Sequence, residues 1–263
     1  MIRFSKTIFS LFLTAVLLTS VNAQEPSSEE RAEAVLAAAV KKIGGERFIA
    51  TRNVFLTGRV SSIQKGVTVA SESLTALLFY PYQDRVETKS GKVKVVRVSG
   101  ESSGWYFDGN VDAIFDMGPE QFARVVRARR GSMDTLLRGF WRGKAKLSYV
   151  GKREALLGRR SDAVRLTYDD GEEFEFEFDH ENLPFKTISR FKGINDEILI
   201  EETRFAQYIE QNGILFPLVI DRLVSGNQVS RTNYDSFKFD VRFPDSIFIK
   251  PVDIKVFRRD LKF

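Results

Sequence analysis

The stretch Val164 to Phe178 constrains this chain more than any other. Val164, Leu166 and Tyr168 alternate with more polar residues, then Asp169-Asp170-Gly171 intervenes, then Phe174, Phe176 and Phe178 alternate with Glu173, Glu175 and Glu177. A period of two puts the rings on one face and the carboxylates on the other. This is the pattern of a half-buried strand pair in an antiparallel sheet. The register follows from the faces. A two-residue loop at Asp170-Gly171 would set Tyr168 against Glu173 and mismatch them. A three-residue loop, Asp169 to Gly171, pairs Leu166 with Phe174 and Val164 with Phe176, with Gly171 in the left-handed position such loops need. The sheet therefore has an aromatic face that something must cover.

Composition narrows what that cover does. Of 263 residues, 29% are charged, which excludes a disordered chain and a helical membrane protein. The absence of cysteine removes disulfides, thiolate nucleophiles and Cys-zinc sites, and a lone histidine rules out a His-cluster metal site. Residues 1–23 read as a cleavable secretory signal: Arg3 and Lys6, an apolar run from Ile8 to Leu18, then small residues at Val21-Asn22-Ala23. The predicted mature chain, 24–263, begins outside the cytoplasm. Losing Arg3 and Lys6 lowers the formal charge from +5 to +3. That bias is too small to indicate nucleic acid.

Ser27 with Glu30 forms a capping-box pattern before a helix through Ala32, Val35, Leu36, Ala39, Val40 and Ile43, which Gly44-Gly45 ends. Strands are expected around Val54 to Val60, Ser73 to Tyr80, Arg85 to Thr88, Val93 to Val98 and Trp105 to Phe107. Gly118-Pro119-Glu120 opens a helical insert carrying Phe122, Val125 and Val126 on one face and a basic cluster, Arg124, Arg127, Arg129 and Arg130. Gly131-Ser132 breaks it, and a second helix carries Met133, Leu136, Leu137, Phe140 and Trp141. From Ala145 to Pro251 strands are expected throughout. Asn212-Gly213 sets Ile209 opposite Phe216, Phe237 to Phe243 alternate cleanly, and the basic tail reads as an edge strand. No linker interrupts this order. The fold class is α+β: one domain with a long antiparallel sheet and helices on its apolar face.

Several features in sequence order resemble the LolA-like periplasmic lipoprotein-carrier superfamily, in its outer-membrane lipoprotein-sorting branch. They are the leader, the helix ending Ile43-Gly44-Gly45, the strand with Gly58, and the aromatic run Gly104-Trp105-Tyr106-Phe107-Asp108-Gly109. The turn from Asp179 to Pro184, Gly213-Ile214-Leu215-Phe216-Pro217, and Phe243-Pro244-Asp245 with Phe248 and Lys250-Pro251 complete the set. The resemblance implies an unclosed, strongly curved antiparallel β-sheet, a half-barrel whose concave apolar face is covered by helices and holds acyl chains. It also implies a carrier of lipids or lipidated proteins with partner proteins at the inner or outer membrane.

The ladder Phe174, Phe176 and Phe178 with Val164 and Leu166 lines either an acyl cavity or an ordinary core. Burying one Phe is worth roughly 1.5–3 kcal/mol, which accounts for the ladder without a ligand. Trp105, Phe107, Leu137, Phe140 and Trp141 are the other lining candidates, with helix-on-sheet packing as the alternative. Met133 to Trp141 is the lid candidate, because the Gly131-Ser132 break can hinge. Glu173, Glu175 and Glu177 stand about 7 Å apart along the strand, tolerable for glycoside cleavage, but the face reads as solvated. His180, in the turn Asp179-His180-Glu181-Asn182, reads as an exposed loop residue. The arginine cluster suits anionic headgroups, an acidic partner, or water.

The expected function is a monomeric, non-enzymatic periplasmic carrier of acyl chains, needing no metal or cofactor. A hollow shields the chain from water at roughly 0.8 kcal/mol per methylene. The alternative is a sensor or scaffold subunit binding a protein through a filled sheet. A hollow above about 300 Å³ favours the carrier. A small outer-membrane barrel and a hydrolase rank behind both, the first for its charged strand faces and helical insert, the second for want of a nucleophile–base pair.

Overall fold

The computed structural model describes residues 25–154, 160–192, 195–255 and 257. The predicted leader lies outside them, as does the end of the basic tail. The chain opens with α1 (Ser28–Ile43) and α2 (Glu46–Ala50). Six strands follow: β1 (Asn53–Gln64), β2 (Val67–Phe79), β3 (Gln83–Ser90), β4 (Val93–Ser99), β5 (Gly104–Asp108) and β6 (Ala113–Asp116). Two helices intervene, α3 (Pro119–Arg130) and α4 (Met133–Leu137). Seven strands complete the sheet: β7 (Ala145–Glu154), β8 (Arg160–Tyr168), β9 (Glu173–Phe178), β10 (Pro184–Lys192), β11 (Ile198–Gln211), β12 (Ile214–Val224) and β13 (Asn227–Phe239).

Among the described residues, thirteen strands lie in one antiparallel sheet, in the order β6-β5-β4-β3-β2-β1-β13-β12-β11-β10-β9-β8-β7. Each strand pairs with its chain neighbours, except at the middle, where β1 pairs with β13 and joins two meanders. The outer edges, β6 and β7, do not pair with each other, so the curved sheet stays unclosed. The segment carrying α3 and α4 must therefore return from one edge to the other across the concave face.

Local chemistry sets the elements. The Ser27 hydroxyl accepts from the Glu30 amide (3.2 Å) while the Ser27 amide donates to the Glu30 carboxylate (2.7 Å), satisfying two orphan donors at the start of α1. Gly44, at φ +141°, ends that helix. Leu166 pairs with Phe174 and Val164 with Phe176, and Gly171 adopts φ +85°, as the alternation requires. Ile209 faces Phe216 across the Asn212-Gly213 turn. The sheet bends at a bulge between Thr57 and Gly58. A Cβ at Gly58 would sit 2.2 Å from the Asn233 carbonyl oxygen, so only glycine lets β1 and β13 approach there.

Several expectations need correction. β2 begins at Val67 rather than Ser73, because its hairpin runs past the packed part of the sheet. β6 carries too few residues to show a pattern and was not anticipated. The final alternation stops at Phe239: Asp240 turns left-handed (φ +53°), and the Asn53 side chain holds Val241 instead, accepting from its amide (3.0 Å) and donating to its carbonyl (3.1 Å). The described part of the tail is therefore no edge strand. It folds through a 3-10 helix (Asp245–Phe248) onto the outer face of β3 to β5. Finally, the carboxylate face of β9 is solvated only at Glu173. Glu175 and Glu177 are 7% and 2% exposed, beneath Arg153, Arg165 and Lys186. Long basic side chains lie along the sheet and cover them.

Candidate functional site

The aromatic ladder is packed solid. Phe174, Phe176 and Phe178, with Val164 and Leu166, lie in one core with α1 residues Ala32, Leu36, Ala39 and Ile43, and with Leu136, Leu137 and Trp141. Phe176 and Val164 expose no surface. No guest fits between α1 and this part of the sheet.

Trp105 and Phe107 do not join that group. Strand pairing sets Tyr106 and Arg97 in line with Val86 on the helix side, which turns Trp105, Val98 and Arg85 outward. Trp105 and Phe107 pack there against Phe248, Ile254 and Phe257, and the Trp105 indole N–H donates to the Phe248 carbonyl (3.0 Å). A five-residue aromatic strand does not reveal which side it shows to the helices.

Open space lies instead under α3, where the two meanders meet. A hollow of about 280 Å³ is walled by Leu56, Leu78, Phe205, Leu215, Phe216 and Tyr234 of the sheet and roofed by Ala128, Gly131, Met133 and Leu137. A second, of about 360 Å³, adjoins it over β10 and β11 and shares the walls Ala128, Gly131 and Thr203. A third, of about 320 Å³, flanks the other side between α3 and β2 to β4, with Phe140, Val125 and again Ala128. Of the expected lining residues, Leu137, Phe140 and Phe174 border these spaces; Trp141, Val164, Leu166, Phe176 and Phe178 are core. Burial pushes the Tyr234 phenol up to about 12, so it faces the hollow as a neutral hydroxyl.

α3 has no buried residue at all. Its underside presents Ala128 and Gly131 where larger side chains would fill the space below. A Cβ on Gly131 would come within 2.5 Å of the Phe174 ring, so glycine sets how close the helix end can settle. What holds α3 is charge. Arg129 donates to Asp84 (2.9 Å), Ser99 (2.6 Å) and the Gly100 carbonyl (2.5 Å) on the first meander. Arg127 reaches the second meander, with Glu172 (2.9 Å), Glu201 (3.0 Å) and Ser189 (2.9 Å), and lies over the Phe191 ring. Arg130 donates to Asp170 (2.5 Å) and Glu172 (3.0 Å). Burial works against the Arg130 charge, but these hydrogen bonds outweigh it and hold the guanidinium charged; the same contact holds the Asp170 carboxyl below its usual range. Three of the four arginines, Arg127, Arg129 and Arg130, thus tie α3 to both sides of the sheet, while Arg124 stays exposed.

α4 is seated differently. Arg138, 3% exposed along its side chain, donates to Asp134 (2.9 Å), to the Phe48 and Thr51 carbonyls (2.8 and 3.2 Å) and to the Thr51 hydroxyl (2.8 Å), and stacks between Phe48 and Tyr80. That anchor fixes α4 on α2 while α3 rests only on its rim contacts.

The reactive candidates contribute nothing here. His180 stands half-exposed in its turn beside Glu181 (3.9 Å). Glu175 is engaged by Arg153 and Arg165; burial raises its carboxyl, but their hydrogen bonds prevail and hold it below the usual range. Among the described residues, no group of His, Cys, Asp and Glu could hold a metal ion.

No protein-family model and no curated protein matches this sequence. Solved structures do match. A DUF1329 family protein from Desulfovibrio piger aligns over 83% of this chain and 97% of its own, with TM-score 0.60 and 11% identity. An outer membrane lipoprotein-sorting protein domain from Vibrio parahaemolyticus covers 82% and 97%, at 0.55 and 11%. A LolA superfamily protein from Nitrosomonas europaea covers 83% and 97%, at 0.53 and 15%. The fold is LolA-like. At these identities the likeness fixes the architecture and leaves function to the residues under α3. No helix among the described residues is long and apolar enough to cross a membrane.

Proposed function

We propose that this chain is a periplasmic, non-enzymatic binding protein that holds an acyl chain in the hollow beneath α3 and releases it when that helix lifts. The observation that carries the reading is a roof helix without a buried residue, latched by ion pairs over apolar walls. Lifting it uncovers little apolar surface, so the barrier to opening is mostly polar. The core under α1 and α4 stays intact, and so does the sheet. The apolar hollow and its neighbour together fall within the roughly 300–1,000 Å³ of small-molecule sites. The architecture shared with a lipoprotein-sorting domain supports the same reading, as does the predicted leader.

The test is a binding titration with a fluorescent long-chain fatty acyl probe, on the native chain and on Ala128→Phe. Ala128 borders three adjoining spaces, so a ring there projects into the place where they meet and obstructs the path of an acyl chain. The expected result is saturable binding by the native protein and its loss in the variant at unchanged Tm. A native protein that neither binds the probe nor yields lipid on extraction from its own periplasm ends the proposal.

A further inference from the structure

The hollow adjoining the apolar one has a different lining, and it bears on which acyl compound is bound. Phe174, Phe191 and Ala128 form its apolar part, and beside them stand Thr187, Ser189 and Thr203 from the sheet, with Arg124, Arg127 and Arg222 against one carboxylate, Glu201. Glu201 is neutralised twice, by Arg127 (3.0 Å) and by Arg222. With Glu172 also on Arg127, three arginines face two carboxylates, and Arg124 is the positive charge left over. Arg222 gives only its Nε to Glu201, and among the described residues its terminal nitrogens and all of Arg124 make no hydrogen bond. Thr187 is 6% exposed, and its hydroxyl has no partner. A buried hydroxyl left unpaired is costly and rare, and this one stands in the wall of a cationic cavity. Two arginines with donors free of protein partners, Arg124 exposed and Arg222 half-exposed at the mouth, and a buried unpaired hydroxyl behind them together mark a place for an oxyanion.

We infer that this cavity is the headgroup subsite of the acyl-chain hollow, taking the phosphate of an anionic amphiphile whose tail lies under α3. Rim and hollow share Ala128, Gly131 and Thr203, so one ligand spans both. Phosphate fits better than carboxylate because it offers three acceptor oxygens to two arginines and a hydroxyl. The inference rests on the acyl-chain reading and adds the ligand's chemical class to it.

The experiment compares three probes by calorimetry on the full mature chain: a single-chain lysophosphatidic acid, the uncharged monoacylglycerol with the same chain, and inorganic phosphate. The expected result is at least tenfold tighter binding of the phosphate monoester lipid than of the monoacylglycerol. Arg222→Gln and Thr187→Val each remove most of that advantage. Thr187→Val keeps or raises Tm, since it deletes an unpaired hydroxyl, which separates loss of a contact from loss of fold. Equal affinity for the two lipids overturns the headgroup subsite and leaves the acyl-chain reading standing. Inorganic phosphate binding as tightly as the lipid shows a free-anion site and overturns the inference. Binding of neither lipid removes both readings.

Discussion

Cutting the latch on one side tests whether α3 is a lid. Arg129→Ala removes three hydrogen bonds that the guanidinium donates to the first meander, at Asp84, Ser99 and the Gly100 carbonyl, and leaves Arg127 and Arg130 on the second. A hydrogen bond to a charged group contributes about 1.5–3 kcal/mol when sheltered. These groups are 18% and 25% exposed, and solvent screens such pairs toward the lower range. A net loss of about 1–2 kcal/mol is the working figure, which multiplies the open population about 5–30-fold. Because α3 buries no side chain, that population change concerns the helix and not the core. Hydrogen exchange reads it directly: amides of 122–130 exchange faster by that factor, while those of β8 and β9 keep their protection. Two outcomes refute the reasoning. Uniform acceleration through β8 and β9 means Arg129 holds the whole fold, and unchanged α3 exchange means the contact holds nothing.

Other consequences follow from the packing. Phe176→Ala, at a site with no exposed surface, costs about 3–5 kcal/mol and lowers Tm by about 6–20 °C without reducing acyl-probe affinity in protein that remains folded. Gly58→Ala forces β1 away from the Asn233 carbonyl and destabilises the junction of the meanders, seen as a lower urea midpoint. Glu175, its carboxyl held low, contributes stability that is present above the unfolded glutamate pKa near 4.5 and is lost as pH falls through its lower folded value. The Tm gap between native protein and Glu175→Gln therefore closes on acidification below that range; a gap independent of pH contradicts the assignment. In a Trp141→Phe background, Phe257→Ala uncovers Trp105, whose ring it meets at 5.7 Å, and red-shifts its emission. No shift means the tail does not shield that face.

The strands were legible wherever alternation ran long enough to set a register. β8 and β9 were fixed to the residue because three rings and three carboxylates agree with one loop length. The capping box and glycine pair gave α1 its limits for the same kind of reason, a local interaction complete within a few residues. The hollow was not legible. Sequence shows which side chains are apolar but not which are left uncovered, and the ladder with the strongest signal proved the best-packed. Trp105 and Phe107 illustrate the second limit. Their strand is one of a pair of faces that both carry apolar residues, so the covering segment, here Phe248 to Phe257, decides which is which. The arginines of α3 were visible as a cluster, yet their acidic partners lie forty or more residues away in separate turns, and nothing local joins them.

Topology explains why a poorly packed helix is placed over the opening. A flat sheet of this many strands would measure about 58 Å from edge to edge. The connection from β6 to β7 must cover the same gap, but α3 and α4 rise only about 1.5 Å per residue, and the chain between Arg138 and Lys144 is folded back in successive turns. A connection that compact reaches both edges only if the sheet curls to bring them together. Curling produces the concavity, and the connection then lies across it, tied covalently to both rims. The roof is therefore a by-product of joining two meanders through their outer edges, and it cannot detach. On the proposed reading it opens by tilting at Gly118 and at the Gly131-Ser132 break, against the arginine contacts.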